Sequence, residues 1–268
     1  MPGHTFNAWW GCSKVSPACK HCYAEALAER YGHDVWGDNR PRRFFGDAHW
    51  AEPLQWNRAA AKAGEIHLVF TNSQADVLED REDLAEHRRR LCALVDVTQN
   101  LMWLFLTKRP ENQHLLPIGW RADGAPNVAF GATTEDQEWF DKRIPHVRAA
   151  EWAAFRFLSI EPMMGRIDTR RAHGIARDRY EAEGALTGAS FPGRDVDWFI
   201  LGGESGVSQA KRRHLDLASA EDVADLALRM GKAVYVKQDS HFLPGQRGRL
   251  SDKMWGLKQH PPIGALAA

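Results

Sequence analysis

The chain has 268 residues, 44% of them hydrophobic and 26% charged; that length is too great for a disulfide-stapled miniprotein and suits one large α/β barrel. Lys+Arg and Asp+Glu are both 35, so no global field draws the protein onto nucleic acid or membrane, and any polyanion contact must come from local patches. No apolar run approaches the roughly 18 residues of a membrane span, and the opening MPGHTFNAWWGC lacks the basic-then-apolar order of a signal peptide; a soluble cytoplasmic protein is expected.

In chain order, a strand is expected near TFNAWW (5–10), followed by a cysteine-bearing loop and the helix former YAEALAERYG. From residue 64 short β-rich runs alternate with helical stretches. The runs are IHLVF (66–70), LMWLFL (101–106), NVAFG (127–131), FRFLS (155–159), DWFILG (197–202) and AVYVK (233–237). The helical stretches are 83–98, 136–150 and 219–231; in the last, Val223, Ala224, Leu226, Ala227 and Leu228 form a stripe and Gly231 is a candidate C-cap. Strands alternating with helices read as βα units feeding a parallel sheet, so the fold class is α/β, a partial or full (β/α) barrel of about six to eight strands. A single domain over 1–268 is expected. A polar, Gly-rich insertion or lid interrupts it at 167–196, and a basic extension closes it at 240–268.

The residues following each run are more informative. They read TNSQAD (71–76), TKRPEN (107–112), ATTEDQ (132–137), SIEP (159–162), GGES (202–205) and KQDS (237–240). In βα barrels the carboxyl ends of the strands converge on the functional face. Helix capping accounts for Thr133–Thr134 or Asp76 but not for Lys108, Glu161, Glu204 or Lys237.

Three of the four cysteines, Cys12, Cys19 and Cys22, fall in one short segment, whereas Cys92 sits in RRRLCALV and reads as a small buried apolar residue. The motif is Trp10-Gly11-Cys12-x6-Cys19-x2-Cys22-Tyr23, with Pro17 inside the loop. Clustered cysteines in a reducing compartment suggest metal or redox chemistry. Three readings stand beside each other. A zinc site needs a fourth ligand, for which His21, His4 or His33 could serve. A Cys19–Cys22 redox dithiol leaves Cys12 unexplained. Three thiolates on an iron–sulfur cube leave one iron open, to which S-adenosylmethionine (SAM) can bind through its amino and carboxylate groups.

These residues resemble the radical-SAM superfamily, and more closely a phage-associated three-cysteine branch of it. The likeness rests on Thr5-Phe6-Asn7, Trp10-Gly11-Cys12, Val15-Ser16-Pro17, Cys19, Cys22-Tyr23-Ala24, Leu106-Thr107-Lys108-Arg109-Pro110, Ser159-Ile160-Glu161-Pro162, Gly202-Gly203-Glu204-Ser205-Gly206 and Lys237-Gln238. The first cysteine gap is longer than the superfamily's Cys-x3-Cys-x2-Cys, and no Gly-Gly-Glu follows the second strand. The resemblance implies a 4Fe–4S cluster on Cys12, Cys19 and Cys22, reductive cleavage of SAM, and a 5′-deoxyadenosyl radical that abstracts hydrogen from the substrate. An electron donor of the flavodoxin or ferredoxin type is then required.

Thr71, Asn72, Ser73, Asp76, Thr133, Glu135, Ser159 and Glu161 are candidates to hold SAM, since its amino and hydroxyl groups need acceptors and its sulfonium favours carboxylates. Lys108, Glu204 and Lys237 are candidate catalytic groups; Arg109, Ser205, Arg212, Arg213 and Gln238 are candidates for the substrate. Trp9 and Trp10 could stack a base, although core and rim packing explains most tryptophans. Basic clusters at Arg40, Arg42 and Arg43, at Lys211–Arg213, and at Arg247, Arg249, Lys253 and Lys258 permit a phosphate-tracking surface. The expected substrate is a nucleobase in DNA or a nucleotide, as in phage thymidine hypermodification, in the host cytoplasm if phage-encoded. Radical action on a small metabolite or peptide, and a zinc-stabilised nucleic-acid-binding protein without catalysis, are the alternatives.

Overall fold

The computed structural model describes residues 3–169 and 196–263; the expected lid falls almost wholly outside the described residues. Seven strands form one parallel sheet: β1 (Gly3–Phe6), β4 (His67–Thr71), β5 (Leu101–Thr107), β6 (Ala125–Thr133), β7 (Ala153–Ile160), β8 (Trp198–Gly202) and β9 (Ala233–Gln238), adjacent in that order. The α/β class and the expected strand count are therefore what the chain has. Two short strands stand apart, β2 (Trp9–Trp10) and β3 (Arg43–Phe44), which pair antiparallel. The single strand expected over 5–10 is thus two. Between them Asn7 turns its side chain onto the β4 end, its Oδ1 accepting from the Gln74 backbone N–H at 2.7 Å.

The chain divides into two compact units. Among described residues the first holds 3–131, 152–155 and Ile263, and the second holds 132–151, 156–169 and 196–262.

In the first unit β1 pairs with β4 and β4 with β5 in parallel, aligning Phe6 with Thr71 and Thr71 with Phe105. β5 is buried at six of its seven positions, as a strand covered on both faces must be, which is why its sequence is a continuous apolar run. Around the sheet lie α1 (Tyr23–Arg30), α2 (Asp47–Trp50), α3 (Glu52–Ala63), α4 (Ala85–Asp96) and α5 (Ile118–Asp123). The sequence reading missed α2, α3 and α5. α3 is built of good helix formers with Pro53 in its first turn and Gly64 in the left-handed conformation at its end. Phe6 anchors an aromatic core, its ring meeting Trp50 edge-on at 5.3 Å and Trp103 at 5.9 Å; such pairs add about 0.5–1.5 kcal/mol beyond burial. Six of the 11 tryptophans are buried, so packing, not stacking of a ligand, accounts for most of them. Cys92 is buried on α4, and burial pushes its thiol up to about 12.

In the second unit β7, β8 and β9 pair in parallel, with a register shift between Leu201 and Gly202 that brings Gly202 opposite Gln238. Their alternate residues Leu158, Ile160, Phe199, Leu201, Val234 and Val236 form a core with Phe140, Ile144 and Val147 of α6 (Gln137–Ala149) and with α7 (Leu217–Arg229). Asp136 caps α6 through the Trp139 N–H, so Thr133 and Thr134 are not its cap. α7 buries Val223, Ala224, Leu226 and Ala227, the stripe expected. It ends with Gly231 at φ 69°, one residue past the Met230 cap, where Lys232 N–H reaches the Ala227 carbonyl at 2.9 Å. A last short helix, α8 (Asp252–Trp255), is capped by Ser251.

Candidate functional site

The parallel register sets the local geometry of the first unit. Because β4 and β5 run side by side, the stretches leaving them, 71–79 and 107–109, emerge together. Asp76 turns back to accept from Thr107 Oγ1 at 2.6 Å, from the Lys108 N–H at 2.9 Å, from the Leu78 N–H at 3.0 Å and from Arg109 Nη1 at 3.1 Å. Its carboxylate is buried among these bonds, so Asp76 braces the two strand ends.

Three residues later Glu79 is equally buried. Arg42 clasps it with two parallel bonds, Nε to Oε2 at 3.1 Å and Nη2 to Oε1 at 2.6 Å. Arg42 Nη1 reaches the carbonyls of Val35, Gly37 and Arg40. Onto this base the cysteine loop is tied. Ser13 Oγ donates to Glu79 Oε1 at 2.8 Å, and Arg109 Nη2 donates to the Ser13 carbonyl at 3.0 Å and to its hydroxyl at 2.8 Å. Gly11 N–H donates to the Gln74 carbonyl at 2.9 Å, and Gly37 N–H to the Cys12 carbonyl at 2.9 Å. Gly11 has φ 110°, and a Cβ there would lie 2.3 Å from the Val35 carbonyl oxygen; only glycine lets the loop pass so close.

On this scaffold Cys12 follows β2, Cys19 lies in the 3-10 turn Pro17–His21, and Cys22 immediately precedes α1. All are free thiols, Cys19 buried and the other two half-buried. Arg109 Nη1 lies 3.6 Å from Cys12 Sγ. Burial, reinforced by the Asp76 charge and opposed by Arg109, pushes the Cys12 thiol up to about 12. Burial also raises Cys22, against the backbone amides of Glu25 and Ala24 and the charge of Lys108. Next to the loop, at the β4 end, three buried side chains keep polar atoms unpartnered among the described residues: Thr71 Oγ1, Asn72 Nδ2 and Gln74 Oε1. Asn72 Oδ1 instead takes the Ala8 N–H at 2.9 Å, and Ser73 pairs with Asn7 while its carbonyl accepts from the exposed Tyr23 hydroxyl. Buried polar atoms left without partners cost about 1–3 kcal/mol each, so such a group invites a ligand or water.

Three soft thiols on one loop suit either an iron–sulfur cube or zinc. Among the described residues no three His, Cys, Asp or Glu side chains gather as a single metal ion requires. A cube binds each thiolate to a different iron and so spreads the sulfurs wider than one ion's shell. Of the proposed fourth zinc ligands, His4 stacks on Trp56 at 4.4 Å and pairs with His67, and His33 packs edge-on against Trp10.

The second unit brings together a different set. Glu161 accepts from Lys237 Nζ at 3.0 Å and from Gln238 Nε2 at 3.1 Å, and Gln238 Nε2 also donates to the Gly203 carbonyl. Glu204 is buried against the Arg213 guanidinium and the Arg213 N–H. Ser205 forms an isolated bridge with His241. Glu135 is buried against Arg143 at 2.7 Å, the Thr133 carbonyl accepts from the same guanidinium, and the Ser159 carbonyl accepts from Thr134 N–H. Arg212 turns onto the Val207 carbonyl.

Six cations of the basic clusters pair with carboxylates. Arg42 is buried on Glu79, Arg40 pairs with Asp34, Arg213 with Glu204, Arg247 with Asp252, Arg249 with Asp239 and Lys253 with Asp225. Asp34, Glu204, Asp239 and Asp252 lie near their partners in sequence, whereas Glu79 and Asp225 come from distant stretches. Ser13, Arg42, Glu79 and Gln74 were not singled out as site residues, because nothing at their own positions distinguishes them; the only sequence signal was the nearness of Glu79 to Asp76 after a strand end.

A family model described as a protein of unknown function, DUF5131, matches residues 2–259. The chain belongs to that family. Curated proteins offer no match to this DUF5131 member. Among solved structures, two single-substitution variants of spore photoproduct lyase are similar. Each has a TM-score of 0.46 and 14% identity, covering 85% of this chain and 74% of that one. Among the described residues of this DUF5131 chain, no helix is long and apolar enough to cross a membrane.

Proposed function

We propose that the protein is a radical-SAM enzyme, with Cys12, Cys19 and Cys22 holding a 4Fe–4S cluster. The observation that carries the reading is the pairing of a three-thiol loop, pinned by the Arg42–Glu79 and Arg109–Asp76 ion pairs, with unpartnered buried polar atoms at the adjoining β4 end. When bound, the cluster supplies the electron that cleaves SAM and yields the hydrogen-abstracting 5′-deoxyadenosyl radical. The chain's own work is to hold and to orient. Asn72 Nδ2 can donate to a carboxylate, while Gln74 Oε1 and Thr71 Oγ1 can accept from an ammonium. Asn7, by fixing the Gln74 N–H and the Ser73 hydroxyl, holds that strand end in place.

The substrate we infer is a nucleobase, in DNA or in a nucleotide. Trp10, two residues from Cys12, carries the Arg43 guanidinium 4.9 Å over its ring, and the same cation lies 4.6 Å from Phe45. Half-buried Trp10 beside exposed Tyr31 offers a stacking face. A small metabolite is the second reading, favoured by the internal pairing of the basic clusters.

Anaerobic purification decides the first claim. A brown protein with about four irons per chain that releases methionine and 5′-deoxyadenosine after reduction is expected. Ala at Cys12, Cys19 or Cys22 abolishes the colour and Cys92→Ala spares it; a colourless protein holding one zinc would end the reading. Mass spectrometry of products with single-stranded DNA, nucleosides and small metabolites offered separately decides the substrate.

A further inference from the structure

We propose that Arg109 is a positioning residue that sets the reduction potential of the centre bound through Cys12. This rests on the radical-SAM reading and deepens it. Arg109 is one of the residues singled out for the substrate. Its guanidinium is buried and turned toward the cysteine loop, with Nη2 on Ser13 and Nη1 between Asp76 Oδ2 at 3.1 Å and Cys12 Sγ at 3.6 Å. The Cys19 sulfur lies near the Ser16 hydroxyl at 3.9 Å.

The electrostatics follow from the charges present. Arg42 balances Glu79 and Arg109 balances Asp76. A Cys12 thiolate adds a negative charge that Arg109 must share with Asp76. Reduction of a centre held by that thiolate adds further negative charge to the sulfurs, and a buried N–H donor at one of them stabilises the reduced form more than the oxidised one. Arg109 therefore raises the potential. Asp76, bonded to the same Nη1, draws the cation away and lowers it. Two oppositely signed controls meet at one guanidinium, and the bonds from Thr107 and the Lys108 N–H fix how strongly Asp76 competes.

The test is a redox titration of the reconstituted protein followed by electron paramagnetic resonance, with iron content measured for every sample. Arg109→Gln should lower the midpoint potential and Asp76→Asn should raise it, at equal iron content. Arg109→Lys keeps the charge and should fall between wild type and Arg109→Gln. Should Arg109→Gln fail to fold or to hold iron, the signs for Asp76→Asn and Arg109→Lys still decide. A purely structural brace would change iron content or unfolding midpoint without moving the potential in opposite directions. Loaded variants that share the wild-type potential, or shift the same way, overturn this proposal alone. A wild-type chain that takes up no iron overturns the cluster reading and this one with it.

Discussion

The ends of β4 and β5 in the first unit and the ends of β7, β8 and β9 in the second use the same materials for opposite ends. Both gather arginines and carboxylates where buried strands run out, and both use a glycine that tolerates no side chain: Gly11 under Val35, and Gly203, where a Cβ would lie 2.3 Å from the Ser240 nitrogen. In the first, the ion pairs are buried against the cysteine loop, which keeps two half-buried thiols, and three side chains at the β4 end each keep one unpartnered polar atom among the described residues. In the second, Glu204 is sealed by Arg213 and Asp239 by Arg249, while Glu161 keeps some exposure and Lys237 is half exposed. A polar strand end is a scaffold when its charges cancel locally and a site when something reactive is left over. By that measure the proposed cluster site belongs to the first region.

The comparison breaks most easily at Glu79. Glu79→Ala leaves the buried Arg42 without its partner, and losing one member of a buried pair costs about 3–5 kcal/mol. Urea denaturation should show the loss, and iron uptake should fall with it. If stability falls and iron binding stays intact, the loop does not depend on that pair.

Next in size come the two glycines. Ala at Gly11 or at Gly203 overpacks backbone, costing about 1–3 kcal/mol each. Gly11→Ala adds the strain of φ 110° and should displace Cys12, lowering iron content. Gly203→Ala should lower the unfolding midpoint and leave iron content unchanged. Equal effects on iron would erase the distinction between the regions.

A smaller effect, readable by pH, tests the second region. Burial works against the Asp239 charge, but the Arg249 guanidinium and the N–H groups of Arg249 and Ser240 outweigh it and hold the carboxyl below its ordinary 3.8. A depressed folded-state pKa contributes stability that is fully present above the unfolded value and is lost as pH falls through the folded value. Asp239→Asn should cost about 1 kcal/mol at pH 7, Arg249 being half exposed, and the deficit should shrink as the pH drops below 3.8. A pH-independent deficit would place the effect in packing. Smallest of all, Lys253→Ala removes an exposed pair with Asp225 and should shift stability by less than about 0.5 kcal/mol.

Much of the fold was readable in the chain because its signals are local. Buried parallel strands are unbroken apolar runs, and α7 carries its own stripe and terminal glycine. α2 and α3 escaped because 47–63 mixes Trp, His and Ala without a clean strand neighbour to frame it. The site was half readable. Three closely spaced cysteines announce themselves. The residues that hold them do not, since Arg42, Glu79 and Arg109 come from distant stretches and nothing in the chain ties them to the cysteines.

Spacing alone decided that Cys12, Cys19 and Cys22 lie on one loop before a helix, because a short segment cannot carry its side chains far apart in the chain. Which charges are spent and which groups are left over is a matter of partners. An arginine's partner is chosen by where two strands end side by side. Only the tertiary structure could show that Arg109 is a neighbour of sulfur and Glu204 half of a buried ion pair.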